Sequence, residues 1–71
     1  MNTFYWTLEE LEAMPTLCVG QADNLKMETK NTRVWLSRCT VADGEPFDNK
    51  VTVETLTKDG RWEEARTYQA I

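Results

Sequence analysis

The chain has 71 residues, twelve of them acidic and eight basic, for a net charge of −4. That balance argues against direct nucleic-acid binding, which runs on an excess of Lys and Arg. Histidine is absent, which removes the commonest general base and metal ligand at neutral pH, and with it any Ser–His or Cys–His pair.

Thr7 opens the first element. It can cap a helix, and Glu10 sits three residues on, as a capping box needs. Trp6 and Leu11 then occupy the two positions of a hydrophobic staple. Pro15 stops the pattern, so the spacing predicts a helix of about two turns over Leu8 to Met14. So short a helix must dock on a sheet to persist.

Residues Gly20 to Asn24 read as a loop. From Leu25 to Thr29 the residues alternate, which sets Leu25, Met27 and Thr29 on one face and Lys26 and Glu28 on the other. Lys30-Asn31-Thr32 offers a turn. In Arg33-Val34-Trp35-Leu36-Ser37-Arg38, Val34 and Leu36 face the core and Trp35 points away. Val41 to Asn49 is a polar connection with Asp43-Gly44 and Glu45-Pro46 as breakers, and Phe47 pins it to the body.

Val51 to Tyr68 reads as one hairpin. A β-branched run, Val51 to Thr57, meets a second strand of matching length, Arg61 to Tyr68, across the turn Lys58-Asp59-Gly60. Turn chemistry favours a three-residue loop that places Trp62 across from Leu56. Core clustering favours a two-residue loop with Trp62 and Tyr68 on the face of Val51 and Val53. The three-residue loop is the expectation. The fold class that follows is α+β, mostly β: one domain over residues 1–71, with a short N-terminal helix packed on about four antiparallel strands. Those strands form a small meander sheet or a half-open barrel.

A domain of this size has a limited core and often relies on disulfides, metal or oligomerisation. Cys18 and Cys39 match no zinc spacing, and their pairing cannot be read from the sequence. Free, buried thiols are the expectation. Asp43, Glu45 and Asp48 share a loop, but Pro46 interrupts them and no calcium-loop spacing is present. The lone serine, Ser37, sits in a strand without a nucleophile elbow. No catalytic residue, cofactor or metal is expected. No basic flank with an apolar run is visible, and no membrane-spanning stretch, so a soluble intracellular protein is the default.

Oligomerisation is the remaining supplement, and the aromatic residues support it. Seven aromatic residues are many for so small a body. An outward Trp35 is either covered by the residues before Thr7 or offered to a partner. The candidate interface is Trp35 with Arg33 and Arg38 beside it, and the expected assembly is a homodimer joined through that face or through an edge strand.

Three stretches also carry a resemblance. They are Tyr5 to Leu11, Gly20 to Lys26, and Arg33 to Arg38 followed by Val41 to Phe47. Together they resemble a family of small uncharacterised proteins encoded by phages of mycobacteria and related actinobacteria. The resemblance implies a phage accessory protein that acts in the host cytoplasm, as such proteins typically do by binding a host protein. The missing histidine, the short chain and the surplus aromatics make the expectation a non-enzymatic, self-associating interaction module. It transfers no site residues. Two other readings are a minor decoration component of the virion, and an acidic inhibitor of a host nucleic-acid-binding protein. The last requires the carboxylates to gather on one face.

Overall fold

The computed structural model describes residues 5–20, 23–40 and 47–71, with the backbone alone at 38–40 and 47–48. Its first element follows directly from the Thr7–Glu10 spacing. The Glu10 N–H donates to Thr7 Oγ1 at 3.2 Å, and the Thr7 N–H donates to Glu10 Oε1 at 2.8 Å. Two of the donors that a helix start leaves unpaired are thereby satisfied. Helix α1 runs over Leu8–Ala13 and closes at Met14, whose backbone is already extended (φ −77°, ψ 144°). Pro15 favours that conformation in the residue before it.

Six helical residues cannot hold together alone. Tertiary packing supplies the rest: Leu11 is fully buried in a cluster with Val34, Leu36, Val51, Val53 and Ala70. Trp6, Leu8, Met14, Met27 and Tyr68 pack around that cluster. Thr7→Ala removes the cap and should lower stability by about 1 kcal/mol. The urea midpoint measures this directly, and an unchanged midpoint would show that the capping box is energetically idle.

Five strands follow in one antiparallel sheet of order β1-β2-β3-β4-β5. They are β1 (Cys18–Val19), β2 (Asp23–Glu28), β3 (Thr32–Thr40), β4 (Phe47–Leu56) and β5 (Trp62–Gln69). The mostly-β expectation holds, with five strands instead of about four. The extra one is β1, whose two residues are too few to show a period of two. Backbone bonds hold it beside β2: the Leu17 N–H donates to the Leu25 carbonyl at 2.8 Å, and the Gly20 N–H to the Asp23 carbonyl at 2.7 Å. Cys18 on this edge is exposed, which corrects the expectation of a buried thiol; the Cys39 side chain lies outside the described residues. β4 begins at Phe47, so 47–49 are strand and not loop. Asp43 and Glu45, the Phe47 and Asp48 side chains and the rest of that connection also lie outside the described residues.

In the β2–β3 hairpin, the Thr29 N–H donates to the Thr32 carbonyl at 2.8 Å, which sets the turn at Lys30-Asn31. The simple alternation expected for β2 does not hold. Leu25 pairs with Trp35 but Met27 pairs with Val34, because the register shifts between them. Lys26 is the extra residue of a β-bulge. Leu25 and Met27 therefore face opposite sides of the sheet, and each meets an apolar partner in β3.

The β4–β5 hairpin contains a second bulge. The Thr57 N–H donates to the Arg61 carbonyl at 2.7 Å, and the Gly60 N–H to the Thr57 carbonyl at 3.1 Å. The loop is thus Lys58-Asp59-Gly60, and Leu56 pairs with Trp62, as turn chemistry favours. At the tip, the Thr57 hydroxyl donates to Asp59 and Arg61 Nε lies 3.0 Å from the same carboxylate. The Thr57 hydroxyl, chief among these contacts, holds the Asp59 carboxyl below its ordinary range. A shift between Val53 and Glu54 then leaves Ala65 unpaired, so Arg66 pairs with Val53 and Tyr68 with Val51. Turn chemistry decides the face of Trp62, core clustering decides the face of Tyr68, and the bulge between them accommodates both.

Gly60 has φ +84°, in the left-handed region, and a Cβ placed there would meet nothing within 4 Å. The cost of a side chain is therefore backbone strain alone. Gly60→Val should lower stability by about 1–2 kcal/mol with the fold retained. Gly60→Asn should cost much less, since Asn tolerates this region. Equal melting temperatures for the two variants would remove the strain argument.

Candidate functional site

Strand register sorts the side chains onto two faces. Val34, Leu36, Val51 and Val53 lie beneath α1 and form the core. The other face carries Asp23, Leu25 and Glu28 from β2, then Arg33, Trp35 and Ser37 from β3. Opposite them stand Lys50, Thr52, Glu54 and Leu56 from β4, and Trp62, Glu64 and Thr67 from β5. No helix covers it among the described residues.

Trp35 is half-buried on this open face, as the alternation of β3 predicts. Its cross-strand neighbours are Leu25 and Thr52. The indole is held by one directional contact: Nε1–H donates to Glu54 Oε1 at 2.7 Å. On the far side, the Ser37 hydroxyl donates to Asp23 Oδ1. Asp23, Trp35, Thr52 and Glu54 line a hollow of about 240 Å³.

Arg33 lies at the other end of the face. Its Nε is 3.1 Å from Glu28 Oε2, and its guanidinium carbon stands 4.0 Å from the centre of the Trp62 ring. The ion pair is partly exposed and is worth little on its own, whereas the stacked ring fixes where the guanidinium lies. Leu56, 38% exposed, pairs with Trp62 and extends the apolar area. Of the sequence-based candidates, Trp35 and Arg33 thus share one face. Arg38 pairs through its backbone with Asn49, and its side chain lies outside the described residues.

The N-terminal segment does not cover Trp35 where it is described. Tyr5 and Trp6 lie on the helix side of the sheet. The Trp6 N–H donates to the Tyr68 hydroxyl at 2.6 Å, and that hydroxyl donates to the Trp6 carbonyl at 3.0 Å. The Tyr5 ring meets the Tyr68 ring edge-on at 4.7 Å between centroids. Arg66 stands 5.2 Å from the Tyr5 ring centre, and its buried Nε has no hydrogen-bond partner. A shallow cleft of about 430 Å³ opens beside Tyr5, Trp6, Tyr68 and Ile71.

Trp62, Asp23 and Glu54 were missed as site residues by sequence reasoning. The expected register sets Trp62 across from Leu56 without marking it as a site residue, and Asp23 falls within an expected loop. Glu54 carried a usable signal: it sits between Val53 and Thr55 in a strand, one step from the core-facing valines and hence on the face of Trp35. Among the described residues no group of three or more Cys, Asp or Glu is placed to hold a metal ion. No helix among the described residues is long and apolar enough to cross a membrane. Comparison with protein-family models, with curated proteins and with solved structures finds no match.

Proposed function

We propose that this chain is a non-enzymatic protein-interaction module that self-associates as a homodimer and binds a host protein in the cytoplasm, in the manner of a phage accessory protein. The observation that carries the reading is the sheet face that no helix covers among the described residues. An antiparallel sheet with one face in water normally alternates apolar inside with polar outside. Here the outer face carries Trp35, Trp62 and Leu56, with Leu25 buried beside Trp35. Tryptophan in such a position is characteristic of binding hot spots, and charged groups around it form the polar rim.

Self-association is assigned to the outer edge of β5. Among the described residues its eight residues pair with β4 on one side only, which leaves a row of backbone donors and acceptors for a second strand. The described carboxylates are spread out. Glu9, Glu10 and Glu12 are on the helix layer, Asp59 and Glu63 at the β4–β5 tip, and Asp23, Glu28, Glu54 and Glu64 on the open face. That spread favours an interaction module over an acidic mimic of nucleic acid.

Light scattering at micromolar concentration should give a dimer mass. Trp35→Ala should leave that mass unchanged. A monomer mass at every concentration would remove self-association from the proposal. A dimer lost in Trp35→Ala would move the self-contact from the β5 edge to the open face.

A further inference from the structure

The hollow around Trp35 has a chemistry that specifies its occupant. The indole holds one oxygen of Glu54, and the Ser37 hydroxyl holds one oxygen of Asp23. The second oxygen of each carboxylate has no hydrogen-bond donor among the described residues. Two oriented acceptors therefore flank an aromatic ring, with about 240 Å³ of open space at the group.

The charge around the hollow is not neutralised from within. Glu54 and Glu64 are direct cross-strand partners on this face, an arrangement of like charges that costs stability. Arg33, the cross-strand neighbour of Glu54 on β3, is engaged elsewhere, with its Nε on Glu28 and its guanidinium over Trp62. Lys50 lies in the row of Ser37 and is exposed to solvent. Among the described side chains the face thus holds four carboxylates, Asp23, Glu28, Glu54 and Glu64, against two cations, Arg33 and Lys50. A second copy laid on it would bring the same excess and be repelled. A basic partner would be attracted.

We infer that this hollow receives an arginine side chain from an extended basic segment of the bound protein. A guanidinium is planar, stacks on an indole, and presents a fork of donors that can reach two carboxylates at once. Lysine offers a point charge without the stacking plane. In this geometry the guanidinium lies over Trp35 and donates to the free oxygens of Asp23 and Glu54. The inference rests on the interaction-module reading and names the partner chemistry of its open face.

The test is a titration of the intact protein with a peptide of alternating arginine and threonine, followed through backbone amide and indole N–H resonances. The Trp35 indole and the amides of Asp23, Thr52 and Glu54 should shift together. The same peptide with citrulline for arginine should shift none of them. Asp23→Asn with Glu54→Gln keeps both internal acceptors and so preserves the fold, and should weaken binding about tenfold or more. Glu9→Gln with Glu63→Gln, an equal charge change away from this face, should leave binding unchanged. Shifts spread over all acidic residues, or equal weakening by both double variants, would overturn the inference. So would open-face resonances that move with protein concentration alone, which would assign the face to a second copy while leaving the interaction module standing. No arginine-dependent shift at any peptide concentration overturns the inference. The dimer mass, measured separately, tests the broader reading.

Discussion

Leu11→Ala should remove a large share of this protein's stability. Leu11 is fully buried, and it is the only residue of α1 with no exposure to solvent. Truncating a buried leucine to alanine costs about 2–5 kcal/mol, part from lost transfer energy and part from the cavity left behind. At the usual stability per residue, a chain of this size has roughly 4–10 kcal/mol in total. The loss therefore consumes a large share of the stability. The helix cannot make it up elsewhere, because six residues have no independent stability. Urea denaturation followed by circular dichroism should show a strongly lowered midpoint, or no folded baseline at 25 °C. Leu56→Ala is the control, since Leu56 is 38% exposed on the opposite face and should shift the midpoint far less. Equal midpoints for the two variants would mean that α1 is not docked through Leu11.

The parts of the fold that were legible in the sequence are those with strong local causes. The Thr7–Glu10 box, the stop before Pro15 and the left-handed Gly60 each depend on residues within a few positions of one another. The alternation of β3 was legible too, because Val34, Trp35 and Leu36 lie in an unbulged strand opposite Val53, Thr52 and Val51. Both bulges were not legible. A bulge is decided by partners distant in sequence: Lys26 is extruded so that Leu25 meets Trp35 while Met27 meets Val34. Ala65 is extruded so that Tyr68 returns to Val51 after Trp62 has been fixed by the turn. Either segment taken alone shows plain alternation. The same limit applies to the open face. Trp35 could be placed outward from β3 alone, but its company needed the register of three other strands. The excess of carboxylate around it is a property of the assembled sheet, and net charge alone does not reveal it.

Tyr68 ties the N-terminal segment to the sheet, and removing it should detach that segment. Its ring lies on the helix side, pairs in register with Val51, and meets the Tyr5 ring edge-on. Its hydroxyl accepts from the Trp6 N–H and donates to the Trp6 carbonyl, so one side chain satisfies both backbone groups of Trp6. Tyr68→Phe leaves those groups without that partner and should cost about 1–2 kcal/mol. Tyr68→Ala also loses the ring and should cost about 3 kcal/mol, towards the lower end for aromatic truncation because the ring is only half-buried. The two variants separate the hydroxyl from the ring.

The hydroxyl also gives the fold a dependence on alkaline pH. Burial pushes the Tyr68 pKa above its ordinary value of 10.0, against smaller downward pulls from the Trp6 backbone and Arg66. The folded state therefore holds this proton more tightly than the unfolded chain does. The corresponding stability is fully present below pH 10, and it is lost as pH rises through the folded pKa. Ionisation also ends the donation to the Trp6 carbonyl. Denaturation midpoints of the wild type should fall across this window more steeply than those of Tyr68→Phe. Every other titrating group is common to both proteins, so the difference between the two curves isolates Tyr68. Parallel curves would show that the hydroxyl titrates alike in the folded and unfolded chains, and the vertical offset between them measures the Trp6 contact itself.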